Sequence, residues 1–91
     1  MTVNEERDRR RMARALRPHV SFGMELRGVG ERDGKPTVVL ESKRRYDGER
    51  FSWEVSVKPE EVAKNAKRVA RMLSMEAAED LRRAFPERRN A

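Results

Sequence analysis

The chain has no cysteine, no isoleucine and no glutamine, and only one histidine, His19. Without cysteine there is no disulfide framework, no thiolate zinc site and no thiol nucleophile. One histidine excludes a metal site built from several imidazoles. Aromatic residues make up only 5% of the sequence, so a core has to come mainly from aliphatic side chains and methionine. No apolar run approaches the roughly 18 residues that a membrane span needs. The N-terminal stretch has no apolar signal core, which predicts a cytoplasmic protein with no membrane partner. No Gly-rich phosphate loop and no nucleophile elbow occur. A length of 91 residues excludes a two-domain enzyme and suits one small domain.

What the chain does have is charge. Charged residues are 42% of it, with 22 Lys and Arg against 16 Asp and Glu, for a net charge of +6. High charge with few aromatics borders on the composition of disordered chains. The apolar residues are patterned, however, and the pattern predicts a fold.

Residues 4–17 read as a helix. Asn4 can cap it, Glu5 and Glu6 fall in the first turn where carboxylates favour the dipole, and Pro18 ends it. At 100° per residue Arg7, Arg10, Arg11, Arg14 and Arg17 share one broad face, with Met12 and Leu16 opposite and Ala13 beside them. Glu5 and Glu6 are spaced to pair with Arg9 and Arg10. Strict alternation follows: Val20, Phe22, Met24 and Leu26 on one face, Ser21, Gly23, Glu25 and Arg27 on the other, which is a half-buried strand. Two Asp-Gly pairs, Asp33-Gly34 and Asp47-Gly48, flank a second alternating stretch and introduce a third, Phe51 to Val57. Both are hairpin turns of the type that needs positive φ at two successive positions.

Register can be argued from these turns. A two-residue loop at Asp47-Gly48 sets Tyr46 opposite Glu49, Leu40 opposite Val55 and Val38 opposite Val57. The first hairpin keeps its apolar face only if one extra residue is inserted, with Gly28 or Gly30 as the expected bulge. Leu26 then faces Leu40 and Val20 faces Tyr46. From Pro59 the period becomes helical again, with Pro59, Glu60 and Glu61 as the start. Val62, Ala66, Val69 and Leu73 form the buried stripe. Either Ser74 caps a second helix carrying Met75, Ala78, Leu81 and Phe85, or one long helix bends there.

The predicted fold is α+β. It has an N-terminal helix, a three-stranded antiparallel meander and a C-terminal helix in one or two pieces. The order is α-β-β-β-α, with the helices on one sheet face. Residues 1–85 form the single domain and 86–91 a flexible tail.

Four constellations bear on function. The first is cationic: the five arginines of the first helix, and Lys64, Lys67, Arg68 and Arg71 at i, i+3, i+4 and i+7 beside Asn65. Arg82, Arg83, Arg88 and Arg89 extend the positive surface. Such side chains bind nucleic acid by displacing counterions from phosphates, and arginine grips a phosphate with two hydrogen bonds. A solvated, internally paired helix face accounts for the same residues without a ligand. The second is a row of carboxylates, Glu25, Glu41 and Glu54, side by side on the open sheet face, with Arg27, Lys43, Arg45 and Arg50 around it. It reads as an ion-pair lattice or as oxygen ligands for a divalent metal.

The third is Val38-Val39-Leu40-Glu41-Ser42-Lys43, an apolar strand ending in Glu-x-Lys. It resembles one half of the PD-(D/E)xK nuclease motif. The resemblance implies Glu41 as a metal ligand and Lys43 as the residue assisting the attacking water. Asp33 or Glu25 would be the upstream acid and Glu5 or Glu6 the helix acid. The Pro-Asp half is missing. The fourth is topological. The α-β-β-β-α order and the stretch Val62-Ala63-Lys64-Asn65-Ala66-Lys67-Arg68 resemble the double-stranded-RNA-binding domain, which implies duplex RNA read by shape. Glu60-Glu61 stands where that family has a lysine pair, and Gly34-Lys35-Pro36 where it has a Gly-Pro-x-His loop.

Single residues read more simply. His19 is a solvated loop residue, Trp53 belongs to the core, and Tyr46 is either core rim or a stacking platform. Met12, Met24, Met72 and Met75 fill gaps. The expected function is a small, basic, non-catalytic nucleic-acid-binding module or regulator, without cofactor or metal, as monomer or homodimer. It would contact phosphates through Arg7, Arg10, Arg11, Arg14, Arg17, Lys64, Lys67, Arg68 and Arg71. The alternative is a protein-binding adaptor or inhibitor, for example phage- or plasmid-encoded, whose partner is an acidic surface on a host protein. A metal-dependent nuclease using Glu41 and Lys43 ranks third.

Overall fold

The structure, a computed structural model, describes residues 3–86. Helix α1 covers Val3–Leu16 and runs into a short 3₁₀ turn at Arg17–His19. Three strands follow, β1 (Met24–Arg32), β2 (Lys35–Tyr46) and β3 (Glu49–Ser56), and then helix α2 (Pro59–Ala84). The strands form one antiparallel sheet in the order β1-β2-β3. Both hairpins turn at the expected Asp-Gly pairs, with φ of 53° and 77° at Asp33-Gly34 and 54° and 86° at Asp47-Gly48. The α-β-β-β-α order holds. The expected tail lies, beyond Pro86, outside the described residues, as do Arg88 and Arg89.

One sheet face is covered. Met12, Ala13 and Leu16 of α1, Met24, Leu26, Val38 and Leu40 of the sheet, and Val62, Ala70 and Ala77 of α2 form one buried cluster. The buried side of α2 is built from Ala70, Ser74, Ala77 and Ala78, residues small enough for the helix backbone to approach its neighbours closely. Val69 and Leu73 are half-buried and pack at the edge of that cluster. Met72 and Met75 are not core-fillers as expected; each is 50% exposed. Trp53 is half-buried and ties β3 to α2 through its indole N–H, which donates to Asp80 Oδ2 at 2.7 Å. Tyr46 is core rim: its ring stacks on Phe85 with centroids 4.9 Å apart.

The register of the first hairpin agrees with the sequence. Leu26 faces Leu40, and the extra residue, Arg27, lies immediately before Gly28. The second hairpin starts as expected, with Tyr46 opposite Glu49, and then departs. Two extra residues in β2 between Glu41 and Arg45 shift the pairing, so that Leu40 faces Trp53 and Val38 faces Val55. A two-residue shift keeps every side chain on its face, which is why alternation alone does not reveal it. Ser42 repairs the gap. It is 1% exposed, and its hydroxyl accepts the Phe51 N–H at 2.9 Å and donates to the Arg44 carbonyl at 2.6 Å.

Strand β1 begins four residues later than the alternation predicts, and the Val20–Tyr46 pair does not form. The cause is a third tight turn, Ser21-Phe22-Gly23-Met24. Phe22 has φ 58° and Gly23 φ 77°, and the Met24 N–H donates to the Ser21 carbonyl at 3.2 Å. Val20 still packs against the core from outside the sheet. Helix α2 is also interrupted where the sequence suggested continuity. Asn65 has φ −157° and ψ 79°, and its side-chain Oδ1 accepts the Arg68 N–H at 3.1 Å. That is the geometry of an N-cap. Ser74 caps nothing. It is fully buried, donates to the Ala70 carbonyl at 2.6 Å and accepts the Ser21 N–H at 3.1 Å.

Candidate nucleic-acid interface

All nine basic residues singled out on the two helices are exposed. On α1, Arg7, Arg10, Arg11 and Arg14 converge on one shallow depression together with Glu6. Arg10 pairs with Glu6 at 3.2 Å, one turn away. Arg17 stands apart on the 3₁₀ turn. On α2, Lys64 and Arg68 line a second depression with Glu61, Asn65, Val69 and Met72, while Lys67 and Arg71 lie outside it. The break at Asn65 interrupts the helical phase between Lys64 and the other three, so the four cations do not form one straight stripe. Arg11 also borders the groove between the helices, across from Ala63 and Ala66.

The elements that carry the two sets pack against each other. Helix α1 and the 3₁₀ turn both pack on α2, and the Ser21–Ser74 hydrogen bond locks the following turn to the middle of α2. No Asp or Glu occurs between Asp8 and Glu25, or between Glu61 and Glu76. These two acid-free stretches carry nine cations, and the rest of the chain carries thirteen against all sixteen acids. The positive excess is therefore held by segments that pack together, not spread over the surface.

The open sheet face differs from the expected carboxylate row. The shift in β2 sets Glu25, Glu41 and Ser52 in one line, and moves Glu54 opposite Val39. Arg50 lies between the two remaining carboxylates, with Nη1 at 2.8 Å from Glu25 Oε1 and 3.1 Å from Glu41 Oε1. Glu54 pairs with Arg32 instead. Of the acids that the nuclease-like motif would use, Glu25 stands directly opposite Glu41, whereas Asp33 is in the turn at the far end of the hairpin. Among the described residues, no group of three or more His, Asp or Glu side chains is arranged to hold a metal ion. His19 is half-buried at the end of the 3₁₀ turn, not fully solvated.

Three apolar residues that the sequence places on a strand's apolar face or in core gaps are exposed: Phe22 at 54%, and Met72 and Met75 at 50% each. Phe22 and Met24 keep the alternation of a strand, which hides the turn between them; Gly23 is the one local signal of it. Compared with known proteins, the chain matches no family model, no curated protein and no solved structure.

Proposed function

We propose that the chain is a small, non-catalytic nucleic-acid-binding module that contacts phosphates through α1, the 3₁₀ turn and the middle of α2. The observation that carries this reading is the packing together of the two acid-free, cation-bearing stretches, 9–24 and 62–75. Arg10, Arg11, Arg14 and Arg17 on one side, with Lys64, Lys67, Arg68 and Arg71 on the other, offer charge to a polyanion. Arg7 adds to the α1 side. Binding driven in this way releases condensed counterions and weakens steeply with salt. Contacts confined to phosphates fix position without reading sequence. The opposite sheet face, where carboxylates are matched by Arg50 and Arg32, would face away from the ligand.

The test is a salt titration of fluorescent duplex DNA, duplex RNA and single strands. The logarithm of the affinity should fall linearly with the logarithm of salt concentration. The Arg11→Ala/Arg14→Ala and Lys67→Ala/Arg71→Ala pairs should each flatten that slope by about one to two phosphate contacts. Arg83→Ala, which removes a side chain already paired with Asp80 and Glu79, should leave it unchanged. No binding at about 50 mM salt rejects the proposal. An acidic protein partner, captured in stoichiometric amount after nuclease treatment and not displaced by nucleic acid, would favour the adaptor function over it.

A further inference from the structure

Phe22 combines two features that a structural role does not require. It is 54% exposed, and it occupies the first of two successive positive-φ positions in a tight turn, with φ 58°. The chain makes the same turn twice elsewhere and uses aspartate there, at Asp33 with φ 53° and Asp47 with φ 54°. Aspartate suits this conformation, and a bulky aromatic does not. Strain of this kind persists where the surroundings enforce it, and it collects at ligand-contacting sites.

The surroundings do enforce it. The Ser21 N–H is held by Ser74 at 3.1 Å, the Met24 N–H closes the turn on the Ser21 carbonyl at 3.2 Å, and the Gly23 carbonyl accepts the Lys43 N–H at 2.9 Å. The turn is thus clamped from α2 on one side and β2 on the other. The other aromatics are engaged. Tyr46 stacks on Phe85, and Phe51 and Trp53 pack on the core. The residues that hold the turn are themselves exposed or have exposed neighbours in the chain: Lys43, Arg71 one helical turn before Ser74, and Met75 just after it.

We infer that Phe22 is a preorganised stacking platform for an unpaired base, and that the preferred ligand of this surface is single-stranded nucleic acid. The inference rests on the proposed phosphate-binding role and sharpens it. A projecting ring beside cations matches a ligand that alternates flat π-faces with phosphates. In a duplex those faces are stacked on one another and closed to it. The cations track the backbone, and Phe22 receives a base.

The test uses the full chain and a fluorescently labelled oligothymidine, with a duplex of the same length for comparison. Wild type should bind the single strand more tightly than the duplex. Phe22→Asn places a residue that tolerates positive φ in the turn, so its melting temperature should be equal or higher. Its affinity for oligothymidine should nevertheless fall about fivefold to a hundredfold, the range expected for one lost base stack. Its salt dependence should stay that of wild type, since no phosphate contact is removed. Phe22→Tyr should retain binding, and Phe22→Leu should not restore it. If wild type binds oligothymidine and Phe22→Asn binds equally well, the platform is wrong while the phosphate-binding reading stands. Preference for the duplex likewise overturns the platform and leaves phosphate binding in place. If wild type binds no nucleic acid at low salt, both fall together.

Discussion

The Ser21 amide donates to the Ser74 hydroxyl at 3.1 Å, across 53 residues of sequence, and that hydroxyl in turn donates to the Ala70 carbonyl at 2.6 Å. One fully buried serine therefore joins the turn before β1 to the middle of α2. Ser74→Ala keeps the helix, and even gains about 0.5 kcal/mol in helix propensity, but it leaves a backbone N–H without its partner. That omission costs about 1–3 kcal/mol. The expected net loss is about 0.5–2.5 kcal/mol, read as a lower urea midpoint with an unchanged slope. An unchanged midpoint would mean that water replaces the serine and that the clamp is not rigid.

Ser42 has the equivalent role inside the sheet. In Ser42→Ala the Phe51 N–H loses its acceptor where β2 bulges away from β3. A stability loss of about 1–3 kcal/mol is expected, accompanied by faster hydrogen exchange at Phe51 than at Trp53. Equal acceleration across β3 would instead indicate global unfolding as the only route of exchange.

Asn65 caps the longer part of α2 within the basic stretch. Asn65→Ala should cost about 1 kcal/mol and Asn65→Asp almost nothing, because aspartate keeps the side-chain acceptor. Thermal unfolding followed by circular dichroism ranks the two. An alanine variant as stable as wild type would show that the helix closes over the break without its cap.

Arg50 separates two carboxylates that face each other across the ladder. Removing it in Arg50→Met brings like charges opposite one another, which is unfavourable in a sheet. The side chains are partly exposed, so the cost should be about 1 kcal/mol or less and should shrink at high salt. Adding Glu25→Gln should recover most of it. A loss that salt and the second substitution leave untouched would point to packing of the Arg50 stem.

Much of the fold can be read from local chemistry. Pro18 marks the end of α1 and Pro59 the start of α2, whereas Asn4, expected as a cap, lies inside α1; the two Asp-Gly turns define both hairpins. The need to keep Leu26 and Leu40 on one face locates the bulge in β1 to within a residue, because an odd insertion flips the strand's faces. The bulge in β2 is invisible by the same logic, since two extra residues restore the original faces. The three-carboxylate row does not form for this reason: Glu54 slides by two positions, and Ser52 takes its place beside Glu41.

Element order, turn chemistry and the position of the cations along the chain are all local properties. Each follows from a residue and its near neighbours, so the amino-acid order is enough to reveal it. Three features are not local: the acid-free stretches pack together, Ser74 is a buried clamp and not a cap, and Phe22 leaves the strand to project from a strained turn. They arise because groups far apart in the chain, such as Ser21 and Ser74, satisfy one another's hydrogen bonds and burial, and no local period records that.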